Sequence, residues 1–341
     1  MASRMTTSRA ASPRQLPSIL TESSFKPAGG QNYEPSPGEA RSSNDAPGGI
    51  VALIVDYLRL MKPGIIVLLL ISTCCPMILA SGGQVNPIAV FWALFGGTLV
   101  SGSASVMNCI LDRDIDAIME RTKLRPLPAG RVSPFGAFVF SIFLGLIGLV
   151  VLAYFLNPLA AVVALYGHLF YVFIYSAILK RSTPQNIVIG GAAGAIPPIV
   201  GWVAVKGSID PAAILLFLVV FLWTPPHFWA LALNKNADYR RAGIPMLPVV
   251  RGEKATHDQM LIYALLLIPV TLLLTFVEPH LGWFSVLSFL VISGIFVQKI
   301  IKLRSCRNDE EKTKRAWDVF GFSLIYLALF FAVLVVDSVF I

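Results

Sequence analysis

Long apolar stretches separated by short polar segments make up the chain from residue 50 onward. Each stretch approaches the roughly 20 residues that an α-helix needs to cross a bilayer. Several contain internal proline or glycine, which membrane helices tolerate where neighbouring groups satisfy the freed backbone. The pattern predicts an all-α, polytopic membrane protein with nine spans, at about residues 63–81, 88–107, 134–154, 158–178, 186–205, 211–233, 259–277, 281–298 and 317–339.

Residues 1–49 differ in composition from the rest of the chain. They are rich in Ser, Pro, Gly and Arg and contain no apolar run beyond residues 18–20. We expect this segment to be a disordered cytoplasmic tail and residues 50–341 to form the membrane domain, because so few apolar side chains cannot stabilise a core. Three arginines precede the first acid, Glu22, which faintly resembles a mitochondrial transit peptide, although the later acids do not fit that pattern.

The positions of Lys and Arg indicate how the spans are oriented. From residue 51 onward, all of these residues except Lys206 lie before the first predicted span or after an even-numbered span. The positive-inside rule places those segments, and with them the N-terminus, in the cytoplasm. The alternation also supports a count of nine, because one span more or fewer would break it.

Composition agrees with this topology and narrows the class of function. The chain is 56% apolar and 13% charged, against the ~25% charged residues of a typical soluble chain. This balance excludes a soluble enzyme. The formal net charge of +8 lies mostly in the loops assigned to the cytoplasm, so it reflects topology and gives no support to nucleic-acid binding.

Acidic residues are scarce, and a cluster of them follows the second predicted span. Asn108, Asp112 and Asp116 recur every four residues, so they share one face if the helix continues. Carboxylates on one face repel each other unless a cation lies among them, and hard oxygen ligands of this kind suit Mg²⁺. A solvated helix end, with no metal, explains the spacing equally well.

Cations follow the acids closely. Arg121, Lys123 and Arg125 come within ten residues of Asp116, which is the arrangement that a diphosphate carried on Mg²⁺ requires. The positive-inside bias is the competing explanation for these cations.

A second polar string follows the sixth span. It begins at His227, contains Asn234 and Asp238 at the same four-residue spacing, and ends with Arg240 and Arg241. Both strings lie at the cytoplasmic ends of even-numbered spans, so topology brings them to one membrane surface. We expect them to face each other as a diphosphate site above an apolar cavity.

At these residues the sequence resembles the UbiA superfamily of intramembrane prenyltransferases. The family signature NxxxDxxxD is matched at Asn108, Asp112 and Asp116. The resemblance covers most of residues 55–335 and narrows to the haem-modifying branch of the family. Quinone-precursor enzymes usually carry an acid-rich second motif, whereas this chain has His227 and Asn234 there, with only Asp238 acidic. Four further blocks carry this narrower match, at residues 116–130, 175–198, 223–229 and 238–248.

The resemblance implies a nine-helix bundle that transfers the farnesyl group of farnesyl diphosphate to the 2-vinyl group of haem B, giving haem O. It also implies Mg²⁺ as the cofactor, with haem B as a substrate. It is compatible with a haem A synthase or an oxidase-assembly partner in the lipid bilayer. The location it implies is the bacterial inner membrane, with the mitochondrial inner membrane as the alternative.

The resemblance also implies roles for particular residues, each with a structural alternative. Positive-inside bias would explain the cations, and a kink or a neighbouring helix would explain His227 and His168. The implied catalytic residues are Asp112, Asp116, Arg121 and Arg125; the diphosphate-binding residues are Lys180, Arg181, Arg240 and Arg241; the haem-binding candidates are His227 and His168; and the metal ligands are Asn108, Asp112, Asp116, Asn234 and Asp238.

Two other functions remain open at the level of sequence. A sibling prenyltransferase would act on a quinone precursor or a chlorin. A transporter would use Asp112, Asp116 and Asp238 as ion sites, but transporters usually place such acids near the bilayer midplane in broken helices. The cytoplasmic position of these acids, beside arginines, favours the enzyme.

Overall fold

The computed structural model describes residues 49–340, and nearly the whole of the predicted tail, residues 1–48, lies outside them. The described residues form helices and connecting turns, with no strand among them. The helices are α1 (Ile50–Leu60), α2 (Pro63–Ala80), α3 (Pro87–Leu111), α4 (Arg113–Ile118), α5 (Pro134–Phe155), α6 (Pro158–Leu169), a π-helix (Phe170–Leu179), α7 (Lys180–Ser182), α8 (Asn186–Gly194), α9 (Ile196–Lys206), α10 (Pro211–Asn234), α11 (Asn236–Arg241), α12 (Leu247–Val277), α13 (Trp283–Ser305) and α14 (Asp309–Phe340).

Nine helical stretches of residues 49–340 are long and apolar enough to cross a membrane, which confirms the predicted number. The fourth combines α6, the π-helix and α7, and the fifth combines α8 and α9. Several spans are longer than predicted at the end assigned to the cytoplasm. The last span begins at Asp309 rather than near residue 317, because helical turns made of polar residues carry no hydropathy signal.

Proline begins many of these helices. It occupies the first position of α2, α3, α5, α6 and α10, where its missing N–H has no partner to lose and its fixed φ suits the helix. Polar caps reinforce three of these starts: the side chains of Asn86, Ser133 and Asn157 accept hydrogen bonds from backbone N–H groups of the following turn, at 2.9, 3.0 and 2.8 Å. These caps fix the residues at which α3, α5 and α6 begin.

Small residues allow the helices to approach closely, as is usual where lipid removes the hydrophobic drive for association. A methyl group on Gly201 of α9 would lie 2.1 Å from the carbonyl oxygen of Thr73 in α2. Between α3 and α5, Ser103 and Ser141 exchange hydrogen bonds with each other's carbonyl oxygens at 2.7 and 2.9 Å. These contacts set the distance between backbones in the N-terminal half of the bundle.

The largest buried core joins α10 to α12, α13 and α14. A buried carboxylate ties two of these helices together: Asp337, near the end of α14, accepts hydrogen bonds from the backbone N–H groups of Gly282 and Ser285 and from the Ser285 hydroxyl. Asp337 therefore satisfies the N-terminus of α13 across the helix interface.

We predict that Gly201→Ala destabilises the protein by about 1–3 kcal/mol, because the added methyl would collide with backbone rather than with a movable side chain. The matched control is Gly294→Ala on α13, where an added Cβ meets nothing within 4 Å. It should be neutral or stabilising, since alanine favours helix over glycine. Thermal unfolding in detergent measures both; equal shifts for the two variants would contradict the close crossing of α2 and α9.

Candidate active site

The first polar string lies at the end of α3 and is almost completely buried. Asn108, Asp112 and Asp116 are 3%, 1% and 3% exposed. The helix is locally irregular at Asp112, which separates α3 from α4, yet its four-residue register continues: the Asn108 side-chain amide donates to Asp112 Oδ2 at 2.8 Å, and the backbone N–H of Asp116 donates to the Asp112 carbonyl. The three side chains therefore form one column, as the spacing predicts.

The π-helix brings a second column against the first. The Asn108 amide also donates to Ser176 Oγ at 3.0 Å, and Lys180 Nζ donates to Asp112 Oδ2 at 2.5 Å. In each pair the two residues are 68 positions apart in the sequence. The end of α3 and the end of the fourth span are therefore in register over a full turn. The Ser176 hydroxyl donates to the carbonyl of Tyr171, five residues earlier. A π-helix in a membrane span is rare and is often found at functional sites.

Lys62 belongs to this site although the sequence analysis counted it only for topology. It precedes Pro63 at the start of α2 and has a positive φ of 59°, which is uncommon for a residue other than glycine. This conformation lets Lys62 Nζ donate to Asn108 Oδ1 at 2.5 Å. Burial lowers the pKa of the Lys62 ammonium. A lysine directly before the first span was the available signal, but it is indistinguishable from a topological charge.

The loop after α4 folds back over the acids. Arg125 Nη1 contacts Asp116 Oδ2 at 2.7 Å, and the buried Thr122 hydroxyl donates to the Asp116 carbonyl at 2.9 Å. Arg121 is exposed in the same loop. The loop is held from outside by Arg131, which forms two hydrogen bonds to the carboxylate of the buried Asp56 on α1, at 2.8 and 3.3 Å.

One carboxylate oxygen of this cluster is unsatisfied. Asp112 Oδ1 is buried without a hydrogen-bond partner, and such an atom costs free energy unless it binds something. Among residues 49–340, no three His, Cys, Asp or Glu side chains are close enough to hold a metal ion by themselves. The oxygens of Asn108, Asp112 and Asp116 nevertheless suit Mg²⁺, which usually takes one or two carboxylates and completes its shell with phosphate and water.

The second polar string reaches the same end of the bundle. Tyr239 of α11 packs in a buried cluster with Ile115 and Met119 of the first string. Asp238 forms an ion pair with Arg241, whose guanidinium also lies 4.0 Å from the carboxylate of Glu120. The structure therefore brings the two strings into contact, although Asp238 is not gathered with Asp112 and Asp116 into a three-acid cluster.

Asn234 and His227 turn away from this cluster. His227 Nδ1 lies 2.7 Å from the Ser323 hydroxyl of α14, and its ring stacks between Trp223 and Phe320. Asn234 follows two helical turns later and lines a small polar pocket with residues of α12 and α14, including His257. Both residues lie on one face of α10, since seven residues return a helix to the same face, and that face packs on the last span. The role of Asn234 as a metal ligand stays a prediction.

Three other candidate residues have no contact with the buried column of Asn108, Asp112 and Asp116. His168 is half-buried in α6, with Nδ1 3.4 Å from the Val100 carbonyl. Arg181 forms a two-pronged ion pair with Asp114, at 2.7 and 2.8 Å, on the exposed side of α4. This guanidinium lowers the pKa of Asp114. Arg240 is exposed on α11.

Two asparagines that the sequence analysis did not single out lie at the same end of the bundle. Asn186 begins α8 and is 1% exposed; its amide donates to the Lys180 carbonyl, while its Oδ1 is buried without a partner. Asn236 Oδ1, at the start of α11, is also buried without a partner. Asn186 stands in the block of residues 175–198 and Asn236 in the second polar string, but neither shares the four-residue spacing of the predicted ligands, so the packing is what distinguishes them.

The fold and the buried polar columns at one end of the bundle are those of a membrane prenyltransferase. The chain belongs to the UbiA prenyltransferase family, whose sequence model matches residues 68–335. Among its relatives is the "Protoheme IX farnesyltransferase" of Picosynechococcus sp., 48% identical over 287 residues, which are 84% of this chain and 90% of the relative.

Solved structures support the same fold. A structure of digeranylgeranylglyceryl phosphate synthase has a TM-score of 0.70 and 20% sequence identity over 85% of this chain and 100% of the other. A UbiA homologue from Archaeoglobus fulgidus, bound to GPP and Mg²⁺, has a TM-score of 0.55 and 17% identity over 82% of this chain and 99% of the other. A divalent metal thus accompanies the prenyl diphosphate in that relative.

We predict that Asp56 and Arg131 are energetically coupled, since their ion pair holds the loop that carries Arg125. The Arg131 guanidinium holds the pKa of Asp56 below its usual value, so the coupling is present at neutral pH and is lost as the pH falls through that lowered pKa. A cycle of Asp56→Asn, Arg131→Gln and the double variant should give about 1 kcal/mol, because Arg131 remains partly exposed. Additive effects at pH 7 would contradict the pairing.

Proposed function

We propose that this protein transfers the farnesyl group of farnesyl diphosphate to the 2-vinyl group of haem B, producing haem O. The observation that carries the proposal is the buried column of Asn108, Asp112 and Asp116, surrounded by three cations and containing an unsatisfied carboxylate oxygen. The 48% identity to a protein named protohaem IX farnesyltransferase supports the choice of substrates.

The proposed diphosphate site contains both acidic and basic side chains. Asn108, Asp112 and Asp116 would hold Mg²⁺, which would neutralise the leaving diphosphate. Lys62, Lys180 and Arg125 lie within 2.5 to 2.7 Å of these three side chains, so they are already placed to donate to phosphate oxygens. Cations fixed in a buried site stabilise the charge that develops on the leaving group more strongly than cations in water.

The second string would form the outer part of the site. Asp238 is proposed as a contributor of negative charge opposite the first string, and Asn186 and Asn236 as hydrogen-bonding groups, because each has a buried unpartnered oxygen. Arg121, Arg240 and Arg241 remain proposed as cations that attract the anionic substrate. Arg181 is a weaker candidate, since Asp114 already binds it.

The reaction requires a dry apolar space beside the diphosphate. The carbon–oxygen bond of the farnesyl diphosphate breaks, and its electron pair leaves with the diphosphate. Tyr171 and Tyr175 stack at a ring distance of 5.4 Å beside this site, where their faces could stabilise the allylic cation. The vinyl group of haem then attacks that cation, and water captures the resulting carbocation with loss of a proton.

Of the two histidines that the sequence suggested as haem-binding groups, His227 has contacts that favour another role. The ring of His227 is enclosed between Trp223 and Phe320 and hydrogen-bonds Ser323, which favours a role in holding α10 to α14. His168 remains the proposed haem-side group. Gly190 gives room to the ring of Tyr175, because a methyl group there would lie 2.1 Å from that ring.

We further propose that the protein lies in the bacterial inner membrane with its N-terminus in the cytoplasm. The nine spans support a multi-pass membrane protein, and the cluster of cations at one end of the bundle supports the orientation. The mitochondrial inner membrane is the alternative location. A haem A synthase or an oxidase-assembly factor remains a proposed partner.

The decisive variants are Asp112→Asn and Asp116→Asn, which keep the shape of each side chain and remove its charge. We expect each to lower the rate of haem O formation at least about a hundredfold, because the metal and the diphosphate lose their anchor. Asp114→Asn is the matched control, since Asp114 lies between the two on α4 but is exposed and paired with Arg181. It should retain most of the activity.

The assay combines the purified protein with haem B, farnesyl diphosphate and Mg²⁺ and detects the product by mass. Undiminished product from both buried-site variants would contradict the metal-site proposal. Farnesylation of a hydroxybenzoate or a chlorin in preference to haem B would instead favour the sibling function and leave the diphosphate site intact.

A further inference from the structure

A groove of about 540 Å³ lies between the cytoplasmic ends of α13 and α14, away from the candidate active site. The short connection between these two helices forms one side of it. The groove combines basic, polar and apolar side chains, and its lining residues are Ile301, Lys302, Ser305, Cys306, Arg307, Asn308, Glu311 and Arg315.

The cations of this region fall into two groups. The first group comprises cations that form an ion pair with an acid on a neighbouring helix, so their charges are already compensated. They are Lys299, Arg304 and Lys312, at distances of 2.8, 2.8 and 3.1 Å. Lys302 and Arg307 are exposed and have no ion pair within residues 49–340. Both of these cations line the groove, whereas Lys314, which is also exposed and has no ion pair within residues 49–340, does not.

The remaining charges of the groove leave it positive. Arg315 contacts Glu311 at 3.5 Å, and these two charges offset each other. Asn308 uses its side-chain oxygen to accept from the N–H of Glu310 at 3.0 Å, so its amide nitrogen remains as a donor. Two uncompensated cations and an amide donor around one concave surface are suited to a phosphate group.

The groove also lies at the end of an apolar surface. On α13, Leu287, Val291 and Ile301 are 61%, 59% and 47% exposed, and their spacing places them along one side of the helix. On α14, Ile325 and Leu329 are 52% and 42% exposed and continue toward the membrane interior from Arg315. Exposed apolar residues in a membrane span face lipid chains, so the groove lies at the depth of the lipid headgroups.

We propose that this groove binds the phosphate headgroup of an anionic phospholipid, whose acyl chains extend along the apolar surfaces of α13 and α14. Lys302, Arg307 and Asn308 hold the phosphate. A basic pocket between membrane helices on the cytoplasmic side is the kind of site that retains an anionic lipid. The continuous apolar surface below the groove favours a lipid over inorganic phosphate.

The test is a titration of the purified full-length protein, in a neutral detergent, with phosphatidylglycerol, phosphatidylcholine or inorganic phosphate. Thermal unfolding reports binding, since a ligand of the native state raises the unfolding temperature. We expect phosphatidylglycerol to bind the unmodified protein about tenfold or more tightly than phosphatidylcholine. Inorganic phosphate should give little stabilisation at the same concentration.

The double variant Lys302→Gln/Arg307→Gln should lose this selectivity. Its matched control is Lys254→Gln/Lys314→Gln, which removes two exposed cations from the same end of the bundle outside the groove. The control should keep the preference for phosphatidylglycerol. Equal losses in the two double variants would overturn the proposal in favour of a general surface field, and equal stabilisation by inorganic phosphate would overturn the lipid assignment.

The proposal does not depend on the reaction that the protein catalyses. Lys302 and Arg307 are outside the proposed active site, so both double variants should form product at rates close to that of the unmodified protein when they are assayed in phosphatidylglycerol. The same assay checks that each variant is folded.

Discussion

A carboxylate buried at the end of a membrane helix must be compensated, and in this protein that requirement applies most strongly at Asp112. Water cannot reach the carboxylate, so its charge is balanced by Lys180 and by the amide of Asn108. Two helices must be in register for these contacts to form, and the π-helix supplies that register by placing Ser176 and Lys180 opposite Asn108 and Asp112. The position of the fourth span therefore depends on the same charge that the proposed chemistry uses.

This arrangement explains how a site of high charge density can persist without its substrate. Each acid has a cationic partner, and the partner is also a group that would bind diphosphate. In the proposed function, the acids would exchange their cationic partners for Mg²⁺, and the cations would then contact phosphate. Because the acids are buried and their cationic partners are already held beside them, the groups need to move little, and this is the condition under which electrostatic stabilisation is most effective. The unsatisfied oxygen of Asp112 marks where the exchange would begin.

The need to compensate charge also distinguishes the other cations at this end of the bundle from one another. Arg131 is compensated by the buried Asp56 and holds a loop, whereas Lys302 and Arg307 face a groove with no compensating acid. All are placed as the positive-inside rule requires. Their proposed roles differ because their surroundings differ: contact with a buried acid gives a structural tie, a position within the polar columns gives a proposed diphosphate site, and exposure beside an apolar surface gives a proposed contact for lipid.

The sequence alone determined the helical class, the number of spans and the column of Asn108, Asp112 and Asp116, because hydropathy and a four-residue spacing are local properties of one helix. It could not determine which cations reach that column or which way the second string faces. Lys62 looked like a topological charge, whereas Lys180 was predicted to bind diphosphate and Asn234 to bind the metal. Only tertiary packing decided these points: the contacts of Lys62 depend on a helix 46 residues away, and the direction of Asn234 depends on the face of α10 that packs against the last span.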